Sequence, residues 1–174
     1  GKNMLEKYLK VTNGQGKTMT PTECAIWYSH YRLWMKCVEL NQPIVVIEHD
    51  CVPFDPSKLV WKHHTNFHRY DMGALGCYLI EPDFALHVLA YLDRTVITSG
   101  PLGTLCQFWE SEKKNGVLWH VVDPATIADD YDAACTQILD TNYNTTVEHY
   151  ENCEVEGKLN RPWPYYVVIN NVDE

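Results

Sequence analysis

Two carboxylates separated by a single residue, Glu48 and Asp50, stand directly after a short apolar run. The run, Ile44–Ile47, is continuous and β-branched, which is typical of a strand buried on both faces. Side chains alternate along a strand, so Glu48 and Asp50 point one way and His49 the other unless the backbone turns there. Paired carboxylates can bind a hard divalent cation, and such a cation can neutralise a diphosphate leaving group. The spacing fits a metal site, and it also fits ordinary polar residues that finish a strand.

A group of three histidines, His63, His64 and His68, has a residue type that zinc sites use. Two adjacent histidines face apart, however, and a zinc site needs side chains that converge on one point. We therefore expect a solvated loop here rather than a metal centre.

The element before the apolar run is predicted to be a helix. Thr20-Pro21-x-Glu23 is typical of a helix start, with Thr20 as N-cap and Glu23 closing a capping box. The helix is expected to run from residue 21 to about residue 40, and Asn41-Gln42-Pro43 ends it just before the strand.

Four aromatic residues of this helix recur near helical spacing: Trp27, Tyr28, Tyr31 and Trp34. Such spacing is typical of the core face of a helix. An aromatic ring can also stack on a sugar or a base, and core packing is the interpretation we favour.

Further elements follow in alternation. The patterns predict a strand at residues 74–80, a helix opened by Pro82-Asp83, a helix at 102–114 and a strand at 117–122. Residues 163–169 suit one more strand, packed on a sheet edge. Polar residues at the carboxyl end of a buried strand are where open α/β sheets bind ligands. The alternation favours an α/β layer fold.

Length and composition favour one compact domain over residues 1–174, because 174 residues with 45% hydrophobic content can bury a sizeable core. Residues 129–174 form an acidic and aromatic C-terminal extension of it. No stretch has the roughly 18 apolar residues of a membrane span, and residues 1–10 lack the apolar core of a signal peptide. The seven cysteines are scattered and odd in number, which does not suggest a disulfide framework. We expect a cytoplasmic protein without an integral membrane segment.

The net charge of −9 is unevenly distributed. Residues 1–36 contain 6 of the 14 Lys and Arg but only 2 of the 23 Asp and Glu, and the remainder holds 8 against 21. A positive N-terminal region favours a phosphate-bearing ligand. The acidity of the whole chain weighs against long nucleic-acid tracts as partners, although a locally basic groove remains compatible with it.

The pattern Ser29-His30-x-x-x-Trp34, followed by the apolar run into Glu48-x-Asp50, resembles glycosyltransferase family 25, the lipopolysaccharide and procollagen galactosyltransferase group. In that family a helix with Ser-His-x-x-x-Trp precedes a strand that ends in Glu-Asp-Asp. Here His49 replaces the middle Asp.

Weaker similarity extends over about residues 4–128. Tyr78-Leu79-Ile80 resembles a Tyr-Leu-Ile segment that precedes a helix in the family, and residues 122–127 resemble its closing strand. Pro101-Leu102-Gly103 is similar to a Pro-x-Asp motif, with Gly103 in place of the Asp. The family begins with a strand that precedes a basic helix, so we expect that the first strand is missing from this sequence.

The resemblance implies a single Rossmann-like GT-A domain, with a mixed, mostly parallel central sheet flanked by helices. It implies an inverting, metal-dependent transfer of a hexose from a UDP-sugar donor to the hydroxyl of a saccharide, a protein or a modified nucleobase. Asp50 would ligate Mn²⁺ or Mg²⁺ with His49, and Glu48 would join Asp50 in catalysis or contact the donor ribose. Ser29, His30 and Glu23 would line the donor site.

Several alternatives stay open. His30 could instead be a buried histidine that is hydrogen-bonded within its helix. The general base that an inverting transfer needs could be Asp83, Asp129 or Asp130. The chain could also be a phage-type enzyme that glycosylates a modified DNA base, or a catalytically inactive binding module, which His49 and Gly103 would explain.

Overall fold

The computed structural model describes residues 21–48, 51–53, 61–62, 65–71, 75–122, 135–137, 165–168 and 172–173. Within these ranges the helices are α1 (Pro21–Leu40), α2 (Pro82–Arg94) and α3 (Pro101–Lys114). The strands are β1 (Ile44–Ile47), β2 (Cys51–Pro53), β3 (Trp61–Lys62), β4 (Phe67–Arg69), β5 (Cys77–Ile80), β6 (Val121–Val122), β7 (Cys135–Gln137), β8 (Tyr165–Val168) and β9 (Val172–Asp173).

Helix α1 has the bounds that its sequence predicts. It buries a single face at spacings of three and four residues, made of Cys24, Trp27, His30, Trp34 and Cys37. Asn41 ends the helix in a left-handed conformation, with φ of 51°, and its N–H donates to the carbonyl of Val38 at 3.2 Å. The predicted N-cap, Thr20, lies outside the described residues. None of the helices in the described ranges is long and apolar enough to cross a membrane.

The central sheet has five strands in the order β6-β4-β5-β1-β8. Strand β1 is antiparallel to both β5 and β8, and β4 is antiparallel to β5. Only β4 and β6 pair in parallel among these described strands. The sheet is therefore mixed, but the expectation of a mostly parallel sheet is wrong for this part of the chain.

The short connection between β4 and β5 explains part of this difference. Strand β4 ends at Arg69 and β5 begins at Cys77, and the few residues between them are too short for a parallel crossover, which needs about a dozen or more. The apolar run Ile44–Ile47 predicts burial on both faces but carries no information about the direction of its neighbours. Outside this sheet, β2 pairs with β7 in antiparallel fashion and β3 pairs with β9 in parallel.

Both faces of the central sheet are covered. On one face, Ile44 and Val46 of β1 join Tyr78 and Ile80 of β5 in a core cluster to which all three described helices contribute. On the other face, the alternate residues join Cys51 and Tyr70 in a second cluster. The four residues of β1 are at most 3% exposed, which confirms the predicted strand buried on both faces.

Other boundaries differ from the predictions. Strand β5 begins at Cys77 rather than at residue 74, and β6 is confined to Val121–Val122, after the turn at Gly116 with φ of 81°. The predicted loop is wrong for His68, which lies in β4, is buried, and stacks on Tyr70 with 4.3 Å between ring centroids. His63 and His64 lie outside the described residues. The C-terminal strand is confirmed as β8, at the edge of the central sheet.

Candidate functional site

Glu48 directly follows β1, on the side of the sheet that faces the helices. Ile44 and Val46 belong to the helix-side core, and Glu48 is the next residue in this alternating series. Its Oε1 lies 2.9 Å from Nε2 of His30 in α1. The Glu48 side chain is 19% exposed and that of His30 is 1% exposed. The carboxylate therefore stands at the boundary between the core and solvent.

The other ring nitrogen of His30 contacts β5. Nδ1 of His30 lies 2.7 Å from the Tyr78 hydroxyl, and the indole N–H of Trp34 donates to the same hydroxyl at 2.9 Å. All three residues are buried in the core. The register of β1 and β5 pairs Tyr78 with Val46, which places the hydroxyl beneath α1, where His30 and Trp34 are about one turn apart.

These hydrogen bonds have one direction of donation in which every polar group has a partner. An indole nitrogen can only donate, so the Tyr78 oxygen accepts from Trp34 and its own proton is left for Nδ1 of His30. A carboxylate can only accept, so Nε2 of His30 carries a proton and donates to Glu48. A proton on Nδ1 would leave the Tyr78 hydroxyl proton without an acceptor in a buried site, which is costly. The donors run from Trp34 through Tyr78 and His30 to Glu48.

The Tyr78 hydroxyl remains protonated and can serve as this donor. Burial raises the pKa of Tyr78 well above its usual value, and the nearby charge of Glu48 acts in the same direction. The hydrogen bond from Trp34 opposes the rise without cancelling it. The Tyr78 hydroxyl therefore keeps its proton through the neutral pH range.

The backbone of Glu48 is held on both sides. Its N–H donates to the carbonyl of Gly76 at 2.8 Å, and its carbonyl accepts from the N–H of Cys51 at 3.0 Å. The two residues between Glu48 and Cys51, His49 and Asp50, lie outside the described residues. Their predicted role as metal ligands stays a prediction.

A second carboxylate, that of Asp71, supports this region. Its oxygens accept from the backbone N–H groups of Gly76 at 3.0 Å and Cys77 at 3.3 Å, and Asp71 is 2% exposed. Burial raises the pKa of Asp71 to about 6, against the lowering effect of these two bonds and of Arg69. Asp71 therefore anchors the segment whose carbonyl, at Gly76, receives the N–H of Glu48.

Gly76 is required at this point by the close approach of its neighbours. A Cβ atom there would lie 3.1 Å from Oδ2 of Asp71 and 3.3 Å from Sγ of Cys51. Both distances are shorter than ordinary van der Waals contact. A side chain at position 76 would therefore push apart the residues that hold the backbone of Glu48.

The remaining predicted donor-site residues lie along α1. The Ser29 hydroxyl donates to the carbonyl of Ala25 at 2.9 Å, within its own helix. Glu23 is in the first turn, about 10 Å from His30 along the helix axis at 1.5 Å per residue. The contacts of the described residues thus join His30 to Glu48, whereas Ser29 bonds back to its helix. His30 is buried as the alternative interpretation expected, but its bonds reach other elements.

Asp83 lies at the far end of the sheet from Glu48. It is the second residue of α2, which follows β5, and β5 runs antiparallel to β1 so that Ile80 pairs with Ile44. Glu48 follows the opposite end of β1, about 14 Å from Ile44 at 3.4 Å per residue. This placement disfavours Asp83 as a base that acts beside Glu48.

The glycine at the family's Asp position has a structural reason. A Cβ atom at Gly103 would lie 2.8 Å from Cβ of Ser99 and would also overlap Oγ of Ser99. The carbonyl of Ser99 accepts from the indole N–H of Trp27 at 3.0 Å, which ties this segment to α1. The space that an Asp side chain would need at position 103 is therefore filled by Ser99.

Two residues of this site were not predicted as polar partners. Trp34 and Tyr78 both stand in the motifs that resemble family 25, yet residue spacing alone does not reveal that their polar atoms meet. Asp71 belongs to none of those motifs, and no local pattern indicates its hydrogen bonds to Gly76 and Cys77.

Comparison with protein families gives one match. A family model described as glycosyltransferase family 25 (LPS biosynthesis protein) matches residues 2–60 of the 174-residue chain. Neither the curated proteins nor the solved structures contain a match to the chain. The matched segment is about a third of the chain, and it includes both His30 and Glu48.

Proposed function

We propose that this chain is a metal-assisted glycosyltransferase, which transfers a hexose from a UDP-sugar to an acceptor hydroxyl. The observation that carries the proposal is the bond between His30 and Glu48. These residues belong to the two most specific motifs of the family resemblance, 18 positions apart in the chain. A site built from these two motifs requires that they meet in space and that a carboxylate lies at the solvent boundary.

The residues present suit a hard cation. Glu48 has a carboxylate oxygen, Oε2, that makes no hydrogen bond within the described part of the chain and is free to accept one from the donor. Asp50 would supply the main oxygen ligand, and His49 a nitrogen that transition metals accept. Those two residues are needed, because the described residues alone contain no group of three His, Cys, Asp or Glu able to hold a metal ion.

The proposed division of labour follows from this chemistry. Bound Mn²⁺ or Mg²⁺ would neutralise the charge that develops on the departing diphosphate. Glu48, held by His30, would accept a hydrogen bond from the donor ribose, and Ser29 and Glu23 would line the donor site along α1. In an inverting transfer a carboxylate takes the proton of the acceptor hydroxyl, and we assign this role to Asp129 or Asp130.

The test uses the whole chain with a set of UDP-hexoses and Mn²⁺. We expect slow, metal-dependent hydrolysis of one donor, and a higher melting temperature when donor and Mn²⁺ are both present. Asp50→Ala should abolish hydrolysis with little change in melting temperature in the absence of ligands, because a ligand that follows a strand adds little to the core. Unchanged turnover in this variant would remove the metal assignment.

A binding module without catalytic activity is the second candidate. The observation in its favour is Gly103, where the family has Asp and where Ser99 occupies the space of a larger side chain. Such a module would bind UDP-sugars, and the donor would raise its melting temperature without being hydrolysed. Donor hydrolysis by the wild-type chain that Asp50→Ala abolishes would exclude it.

The acceptor is a saccharide, a protein hydroxyl or a modified nucleobase. An enzyme acting on DNA bases would need a basic groove next to Glu48, and its affinity for DNA would fall steeply with salt. A screen of acceptors with the one active donor separates these classes. We place the reaction in the cytoplasm, since Cys24 and Cys37 carry free thiols, as expected in a reducing compartment.

A further inference from the structure

The ring of Tyr78 is packed in the core, and its hydroxyl is placed between two buried polar atoms. Tyr78 is fully buried, and its ring lies 5.5 Å from that of Phe67 and 5.6 Å from that of His30, between ring centroids. Placing a hydroxyl in such a core is unfavourable unless its hydrogen bonds are made. Here both are made, to Trp34 and to His30.

We propose that Tyr78 is a positioning residue, whose hydroxyl holds the imidazole of His30 so that Nε2–H is directed at Oε1 of Glu48. The second oxygen of Glu48 is then presented to the donor in one orientation. This inference rests on the proposed function, because it assigns a role in the same site.

The first step of the argument concerns the hydroxyl itself. A phenol can rotate its proton, but the indole N–H of Trp34 occupies one lone pair of the Tyr78 oxygen at 2.9 Å. The proton of Tyr78 is then directed at the other nearby polar atom, Nδ1 of His30, at 2.7 Å. Trp34 thus assists by orienting the hydroxyl, while Tyr78 makes the contact that acts on His30.

The second step concerns the imidazole ring. His30 is bonded at both nitrogens, and a half-turn of the ring would break both bonds at once. Without the Tyr78 hydroxyl, Glu48 is the one hydrogen-bond partner of the ring that remains among the described residues, and Glu48 is itself partly exposed. Buried outer partners that orient a functional carboxylate or imidazole are typical of sites that must present one oxygen at a fixed place.

The experiment compares Tyr78→Phe with Phe67→Leu in the full chain. Tyr78→Phe removes one oxygen and the bond to His30, whereas Phe67→Leu removes part of a buried ring that packs on Tyr78 and leaves the hydrogen bonds of Tyr78 in place. If Tyr78 positions His30, Tyr78→Phe should lower donor turnover by about 10- to 100-fold, the range for outer partners that orient a ligand. Phe67→Leu should lower thermal stability, because it removes buried carbon atoms, and yet retain turnover within a few-fold of wild type.

Nitrogen NMR of histidine-labelled protein gives a readout that does not depend on activity. In wild type and in Phe67→Leu, Nδ1 of His30 should appear as an unprotonated hydrogen-bond acceptor and Nε2 as a protonated nitrogen. In Tyr78→Phe the hydrogen-bond shift of Nδ1 should disappear. The labelled wild-type spectrum decides the matter even if Tyr78→Phe fails to fold, because a protonated Nδ1 there overturns the proposal.

A purely structural role for Tyr78 predicts a different order of turnover among the variants. Turnover would then follow melting temperature across the two variants and across Val88→Ala, a core change in α2 remote from this chain of hydrogen bonds. That order, or wild-type turnover in Tyr78→Phe, overturns the proposal. Failure of the proposed function is distinguishable, since a wild-type chain that hydrolyses no donor can still give the predicted nitrogen spectrum.

Discussion

At the scale of the residue, the site depends on the carboxylate of Glu48, which is hydrogen-bonded to the protein and also partly exposed to solvent. One oxygen of Glu48 accepts from the buried imidazole of His30, and the side chain keeps 19% of its surface exposed. A carboxylate that is anchored at one oxygen loses little further conformational freedom when the other binds a ligand. The charge and the geometry of Glu48 should therefore matter for donor turnover more than for stability.

The first prediction replaces Glu48 with Gln. The amide oxygen can still accept from Nε2–H of His30, but an NH₂ group then stands where the second carboxylate oxygen was. We expect donor turnover to fall by about 10- to 100-fold, with a melting temperature close to that of wild type. Glu39→Gln is the matched control, because Glu39 is an exposed glutamate of α1 that pairs only with Lys36 at 3.3 Å. Equal turnover in the two variants would contradict this role for Glu48.

The second prediction concerns Asp71 and pH. Burial raises the pKa of Asp71 from 3.8 to about 6, so between these values the folded chain binds more protons than the unfolded chain. Its contribution to stability is fully present below pH 3.8 and is lost as pH rises through about 6. At about 1.4 kcal/mol per pKa unit, the loss amounts to roughly 1 to 3 kcal/mol.

Asp71→Asn isolates this effect, because the amide does not titrate and keeps one acceptor for Gly76 or Cys77. We expect the free energy of unfolding of wild type, measured relative to Asp71→Asn by urea denaturation, to fall between pH 4 and pH 6.5. A difference that stays constant over this range would show that Asp71 has an ordinary pKa.

At the scale of the element, α1 and β1 were predictable because their signals are local. The Pro21 start, the periodic face from Cys24 to Cys37 and the Asn41 stop lie within the segment they define. The β-branched run of β1 also indicates its own burial. The direction of β5 and β8 beside β1 depends on connections and on packing over long sequence distances, and for that reason the mostly parallel sheet was wrong.

The same distinction applies to the site. The motifs predicted that His30 and Glu48 belong to one site, and the structure joins them. The hydrogen bonds of Tyr78 join β5 to α1, and those of Asp71 reach Gly76 and Cys77. Both depend on how separate segments approach each other, which no residue pattern encodes, so these partners were not predictable from the sequence.

The third prediction tests the junction between α2 and α3. Gly103→Ala would place a methyl group 2.8 Å from Cβ of Ser99, so we expect a loss of about 1 to 3 kcal/mol in stability, typical of overpacking. Gly100→Ala is the control, since nothing lies within 4 Å of a Cβ at that position. The double variant Ser99→Gly with Gly103→Ala should recover part of the loss, measured by thermal denaturation. An additive loss in the double variant would contradict the proposed clash.

At the scale of the whole molecule, the C-terminal region is tied to the centre of the fold. Strand β8 pairs with all four residues of β1, from Ile44 opposite Val168 to Ile47 opposite Tyr165. The side chains of Tyr166 and Val168 pack against the helix-side core. Strand β1 carries Glu48 at its end, so the far end of the sequence closes the sheet beside the candidate site.

The fourth prediction removes this strand. A chain that ends at residue 160 would leave one edge of β1 unpaired, and an exposed apolar edge strand is prone to pair with other molecules. The core would also lose the cover of Tyr166 and Val168, which are partly buried against it. We expect the truncated chain to form aggregates, detected by size-exclusion chromatography with light scattering, and to lose donor turnover.

Adding the missing strand separately shows whether pairing with β1 is the cause. A peptide of residues 161–174 can bind the free edge of β1 through main-chain hydrogen bonds and the same two apolar side chains. It should reduce aggregation of the truncated chain and restore part of its turnover, whereas a peptide with Tyr166→Asp and Val168→Asp should do neither, because charges would then face the core. A truncated chain that remains monomeric, with the melting temperature and turnover of wild type, would mean that β1 does not need β8. The C-terminal region would then be dispensable for both the fold and the candidate site.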